Sequence, residues 1–170
     1  MDKKWKASMY FGETHSALDD KGRLAVPVQF RRIMNVLDHD TWFITRGYDN
    51  SLFLFPKERW DKLLKEEIPG ASLDPRIMDF RRFFIGGAAK AKLDRQGRLL
   101  IPLYLREYAG IEREGVLHGL EDHIQLWSNT GWRAFSERRM PDYKEMAAAL
   151  FGNNRSASAQ PTEDMNNAES

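Results

Sequence analysis

A fourteen-residue segment occurs twice in this 170-residue chain, 75 positions apart, and that duplication constrains the fold more than any other feature. Leu18 to Arg31 reads LDDKGRLAVPVQFR, and Leu93 to Arg106 reads LDRQGRLLIPLYLR. Seven positions are identical: Leu18/Leu93, Asp19/Asp94, Gly22/Gly97, Arg23/Arg98, Leu24/Leu99, Pro27/Pro102 and Arg31/Arg106. Chance would give about one at average composition. A weaker match continues at an offset of 72, pairing Gly47 with Gly119, Leu52 with Ile124, Leu54 with Leu126, Phe55 with Trp127 and Trp60 with Trp132. The change of offset implies a connection three residues shorter in the second copy. Each unit is then about 70 residues, and short strands of that length bury too little apolar surface alone. The two copies are therefore expected to share a core about a pseudo-two-fold axis.

Local signals give the same order of elements in both copies. Met9 to Ala17 reads as a strand, and residues 86–93 as its counterpart. Each strand ends in a turn, Asp19-Asp20-Lys21-Gly22 or Asp94-Arg95-Gln96-Gly97. Asp at the first position and Gly at the fourth suit a type I turn, in which Asp bonds the backbone ahead of it and Gly takes positive φ. A hairpin with a glycine bulge is predicted, with return strands at Leu24–Val26 and Leu99–Ile101. Pro27 and Pro102 then open helices. The first helix is expected to bury Val28, Phe30, Ile33 and Leu37 or their neighbours, and the second to end near Gly110. Strands follow at 41–45 and 52–55 around Gly-Tyr-Asp-Asn, and at 115–118 and 123–127 around Gly-Leu-Glu-Asp. Pro56 opens an amphipathic helix with Trp60, Leu63, Leu64 and Ile68 at helical spacing. Its copy starts near Thr130 and runs toward Leu150. Both Trp60 and Trp132 are expected to be core or interface anchors. Strands and helices alternating in this way indicate an α+β class. The predicted organisation is an N-terminal extension 1–8, a first repeat 9–73, a bridging helix 74–85, a second repeat 86–150 and a polar, disordered tail 151–170.

The net charge of +1 conceals a pattern. Residues 1–35 hold seven Lys/Arg against four Asp/Glu, and residues 76–106 hold eight against two. Such segments suit a polyanionic partner, although taken alone they are more often just solvated faces. With no cysteine, disulfides, thiol catalysis and Cys-ligated metals are excluded. No apolar run reaches the roughly 20 residues of a membrane span, and the start lacks a signal-peptide core, so a cytoplasmic protein is expected. The four histidines show no metal-ligand spacing, and the sequence contains no nucleophile elbow, phosphate loop or dinucleotide fingerprint. The acid pairs Asp19/Asp20 and Glu121/Asp122 read as turn formers. Neither catalysis, metal nor cofactor is expected.

The turns carry the candidate functional residues. Arg23 and Arg98 directly follow the turn glycines, where a guanidinium can bond guanine O6 and N7 in the major groove, which is wide enough for a two-stranded ribbon. Lys21 can reach a phosphate or a base, whereas the second copy has Gln96 there, with Arg95 beside it. Asp19, Gly22, Asp94 and Gly97 shape the turns. Arg31 and Arg106 recur inside the following helices, where a phosphate contact and a solvated or acid-paired side chain are both open readings. Two readings of Arg23 and Arg98 are open as well: contact with DNA, or an internal pair with the turn aspartate. A turn does not itself require Arg after Gly, and its recurrence favours the first.

The segments MYFGETHSALDDKGRLAVPVQFR and AAKAKLDRQGRLLIPLYLREYAGI resemble the MraZ family of bacterial transcriptional regulators, over about residues 9 to 150. Tandem Leu-Asp-x-x-Gly-Arg-Leu motifs carry the resemblance. It implies the swapped-hairpin fold of AbrB-type DNA-binding proteins, here as two pseudo-symmetric β-hairpin/β-barrel units with flanking helices. It also implies sequence-specific binding of double-stranded DNA at direct repeats in the promoter of a division and cell wall gene cluster. Repression of the chain's own operon, assembly into a homo-oligomeric ring and nucleoid association follow from the same resemblance. By position, its DNA-binding motifs fall on Asp19, Lys21 and Arg23, and on Asp94 and Arg98. Residues 1–8 precede the usual start of the family, and Gln96 departs from the lysine of the first copy, which leaves open whether the second motif contacts DNA or serves assembly. Linking several weakly binding hairpins in a ring would supply avidity. A competing reading is a protein-binding module acting through the polar tail, as in antitoxin relatives; an enzyme is a distant third.

Overall fold

The computed structural model describes residues 9–152; the N-terminal extension 1–8 and residues 153–170, most of the expected polar tail, lie outside that range. The first copy supplies β1 (Tyr10–Ala17), β2 (Arg23–Ala25), α1 (Val28–Val36), β3 (Thr41–Arg46), β4 (Leu52–Pro56) and α2 (Lys57–Lys62), which continues as a π-helical turn, Leu63–Glu67. Helix α3 (Pro75–Phe84) follows, capped by the Asp74 carboxylate, which accepts from Arg76 N at 2.9 Å. The second copy supplies β5 (Ala89–Lys92), β6 (Arg98–Leu100), α4 (Leu103–Ala109), β7 (Glu114–Glu121), β8 (Ile124–Ser128) and α5 (Asn129–Arg139). A 3-10 turn, Met140–Asp142, leads to α6 (Tyr143–Gly152), so Phe151 and Gly152 are helical. No helix among the described residues is long and apolar enough to cross a membrane.

The strands form a six-stranded antiparallel sheet, β1-β7-β8-β4-β3-β5, and a two-stranded ribbon, β2-β6. Exchanging each strand for its counterpart reverses the sheet order and leaves it otherwise unchanged, which is the expected pseudo-two-fold symmetry. The axis passes between β4 and β8, where Leu52 faces Leu126 and Leu54 faces Ile124, and through the ribbon, where Leu24 faces its own repeat mate Leu99. One cluster joins both copies: Tyr10, Leu24, Phe30, Met34, Trp42, Ile44 and Leu54 with Leu99, Ile101, Leu105, Leu117, Ile124 and Leu126. Leu24 and Leu99 are fully buried in it. A second cluster, Phe53, Phe55, Trp60, Ile68 and Phe84, lies under α2 and α3, with Trp60 stacked on Phe43 and Phe84. Residues 9–133 form one compact unit that holds the first repeat and all eight strands. Residues 134–152 belong to a second unit, in which Tyr143, Leu150 and Phe151 are exposed.

Several local expectations are corrected. Each turn forms, but in the first copy the hairpin closes by a single bridge, Leu18 with Leu24, and each return strand crosses to pair with the other copy. Each return strand also starts one residue earlier than predicted. Strand β5 is half the length of β1, because Gly86 and Gly87 form a turn at the end of α3; the backbone packs there so closely that a Cβ on Gly87 would strike Arg46 and Phe83. Val28 is exposed, and Met34 takes the buried place on α1. Strand β7 runs to Glu121, at φ 69°, so its connection to β8 is only Asp122-His123. Finally, Arg46 faces Leu52 as Gly119 faces Ile124, so the counterpart of Gly119 is Arg46 and not Gly47. The third strands are thus related by 73 positions. Two of the three missing residues are lost before β7, and one is lost from the β7–β8 turn.

Candidate nucleic-acid interface

Both turns are built from the same set of bonds. Gly22 N donates to Asp19 O at 2.9 Å, and Gly97 N to Asp94 O at 3.0 Å, closing four-residue turns. The glycines follow at φ 81° and 74°, a region that L side chains rarely adopt. Asp19 N then donates to Arg23 O at 3.0 Å, and Asp94 N to Arg98 O at 2.9 Å, which completes the predicted glycine bulge. Asp19 Oδ1 accepts from Lys21 N at 3.0 Å and Arg23 N at 2.9 Å. Asp94 Oδ1 accepts from Gln96 N and Arg98 N, both at 2.9 Å. The second oxygen of each carboxylate holds the arginine by Nε, at 2.6 Å for Arg23 and 2.9 Å for Arg98. The aspartates therefore orient the arginines through Nε.

These bonds favour both carboxylates in the charged form. The backbone N–H of Arg23, with help from its side chain and from Lys21 N, holds Asp19 below the ordinary carboxylate range against the opposing effect of burial. For Asp94 the desolvation is the larger single influence and acts upward, but the bonds from Arg98 and Gln96 together outweigh it. One contact breaks the symmetry: Arg98 Nη1 also reaches Asp19 Oδ2, at 3.4 Å. Asp19 thus serves both arginines.

The ribbon sets the four outward side chains in a fixed pattern. Leu24 and Leu99 point inward, so Arg23, Ala25, Arg98 and Leu100 share the outer face. Arg23 lies opposite Leu100, and Arg98 opposite Ala25, placing the two arginines on a diagonal about the axis. Lys21, Arg95 and Gln96 are exposed at the turn tips.

Arg31, for which a phosphate contact and a solvated or paired side chain were both open, packs against the second turn. A Cβ on Gly97 would strike its Cδ, so Arg31 packs across the turn of the other copy, with Nε buried and without a hydrogen-bond partner among the described residues. Its mate Arg106 does the same beneath the first turn: a Cβ on Gly22 would lie 2.6 Å from Arg106 Nε, which donates to Ile101 O at 2.9 Å. Ile101 N in turn donates to Gly22 O, and Val26 N to Gly97 O. Each turn is thus seated on residues of the opposite copy. Sequence reasoning missed this seat, and it missed the outer-face positions of Ala25 and Leu100, because both depend on the strand exchange. The self-pairing of Leu24 with Leu99, identical residues at the axis, was the available signal. Among the described residues no group of His, Asp and Glu is placed to hold a metal ion. His118 packs on Trp132 and His123 on Phe55.

The family model described as “MraZ protein, putative antitoxin-like” matches residues 9–81 and again residues 84–154. The chain is 38% identical over 144 residues to a protein of Syntrophomonas wolfei named Transcriptional regulator MraZ, covering 84% of this chain and 96% of the relative. Proteins of the same name match from Halothermothrix orenii, at 39% over 144 residues (84% and 96% covered), and from Lactiplantibacillus plantarum, at 38% over 145 residues (84% and 99% covered).

Proposed function

The chain belongs to the MraZ family, and we propose that it is a DNA-binding transcriptional regulator that lays its β2–β6 ribbon in the major groove of double-stranded DNA. One observation carries this reading: two arginines, each fixed through Nε by a turn carboxylate, stand on one outer ribbon face. The major groove, about 12 Å wide, admits such a ribbon, and a guanidinium pairs with O6 and N7 of guanine. Lys21 and Arg95, exposed at the tips, supply phosphate contacts that set register. Arg31 serves the interface indirectly, by seating the second turn.

One ribbon makes few cationic contacts, too few for tight binding at physiological salt. A homo-oligomeric ring that presents several ribbons to direct repeats of its own promoter would supply the missing affinity by raising effective concentration. Repression of its own division and cell wall operon, from a nucleoid-associated cytoplasmic pool, completes the proposal. The test is a gel shift on the chain's own upstream region with wild type and the Arg23→Ala/Arg98→Ala double variant, with assembly followed by size-exclusion chromatography. Loss of binding with assembly intact is the expected result. Full affinity in the double variant overturns the ribbon reading.

A further inference from the structure

The outer face of the ribbon is not only cationic. Leu100 stands on it 53% exposed, although the neighbouring Leu99 is fully buried and already fills the core at this level. Leu100 faces Arg23 across the ribbon, whereas its repeat mate Ala25 faces Arg98. Directly opposed residues in an antiparallel pair hold their Cβ atoms about 4.5–5.5 Å apart, so Arg23 and Leu100 present a guanidinium and a branched apolar tip side by side. The major groove offers matching chemistry: guanine shows two acceptors, and thymine shows a 5-methyl group that takes apolar contact.

We propose that Leu100 is a specificity-determining residue that reads the 5-methyl group of a thymine next to the base contacted by Arg23. The inference rests on the reading of the ribbon as a major-groove element. It assigns unequal tasks to the two halves of the face, since the Ala25 methyl is too short to make the same contact beside Arg98. The ribbon then reads a polar and an apolar feature on one side of its axis and only a polar feature on the other, so a pseudo-symmetric protein recognises an asymmetric half-site.

The probe is the duplex recovered by the wild-type chain from a random-sequence pool, remade with each thymine replaced in turn by deoxyuridine, which removes only the methyl group. Dissociation constants are measured by fluorescence anisotropy for wild type, Leu100→Ala and Ala25→Leu. Wild type is expected to weaken about fourfold at one uracil position, the worth of one buried carbon. Leu100→Ala should bind the thymine and uracil duplexes equally there, and Ala25→Leu should gain a second sensitive position. The inference is overturned if Leu100→Ala retains the wild-type thymine preference at every position, or if it changes only the assembly state in size-exclusion chromatography. Failure of the underlying reading looks different: wild type recovers no preferred duplex, or the Arg23→Ala/Arg98→Ala variant binds the recovered duplex as wild type does.

Discussion

At the first turn a single carboxylate, Asp19, serves two arginines; at the second, Asp94 serves one. The backbone bonds of the two turns otherwise agree to within about 0.1 Å. Arg23 is held at Nε by Asp19, while Arg98 is held at Nε by Asp94 and at Nη1 by Asp19. Side-chain exposure follows the same order, 33% for Arg23 against 24% for Arg98. Duplication has therefore preserved the scaffold of the turn while the load on its cation has diverged. Arg23 is the more exposed side chain, and Arg98 carries the additional bond across the junction of the turns.

The largest expected effect tests that difference. A bidentate contact to a base is worth about 1–3 kcal/mol, or roughly 5- to 150-fold in dissociation constant. Arg23→Ala should lose affinity toward the upper end of that range and Arg98→Ala toward the lower, both measured by anisotropy at fixed salt. Equal losses would show that the extra contact to Asp19 does not restrain Arg98.

The scaffold predicts a second inequality, in stability and not in binding. Gly22 and Gly97 both sit at positive φ, where an L side chain costs about 1–2 kcal/mol. At Gly22 the added Cβ meets the guanidinium end of Arg106, and at Gly97 it meets Cδ, within the stem of Arg31. A stem yields less than a tip. Urea denaturation should show Gly97→Ala as the more destabilised variant, with Arg31→Ala relieving part of that excess.

How far the turns were legible in the sequence follows from the same residues. Asp, Gly and the Arg after it specify the turn, the positive φ and the bonded guanidinium by local rules, and those features formed as read. Which strand receives Leu24 is not a local matter. A type I turn with a glycine bulge is compatible with a closed hairpin and with an exchanged one, and the choice falls to the shared core, where Leu24 meets Leu99. The place of Arg31 was not legible for the same reason, since Gly97, against which it packs, lies 66 residues away and on the other copy. The Gly47/Gly119 match was a coincidence of composition that only strand register could expose.

Acid should dissolve the distinction between the turns. Hydrogen bonds hold both aspartates below the ordinary carboxylate value of about 3.9, so the stabilisation they give is complete above that pH and is lost as pH falls through their lower folded-state values. Thermal melts below pH 4 should fall for wild type and less steeply for Asp19→Asn, which starts lower at neutral pH. Because Asp19 holds both arginines, Asp94→Asn should have the smaller effect on melting temperature at pH 7. The reverse order would place the junction on Asp94.

The smallest effect separates the turn tips, where Lys21 occupies the place of Gln96 and both are exposed. If the two tips track phosphates equally well, exchanging their side chains changes nothing but the site of one charge. A lysine that touches a phosphate contributes about one unit to the slope of log affinity against log salt. Lys21→Gln should therefore flatten that slope by about one, with a uniform loss across DNA sequences. Gln96→Lys can go two ways. If the second tip also lies along the backbone, the slope steepens by about one and sequence preference is unchanged. A glutamine amide can instead pair with N6 and N7 of adenine. In that case the variant alters preference at a single position while the slope barely moves. Measuring slope and preference together on Gln96→Lys thus decides whether the second turn lost a phosphate contact on duplication or exchanged it for a base contact.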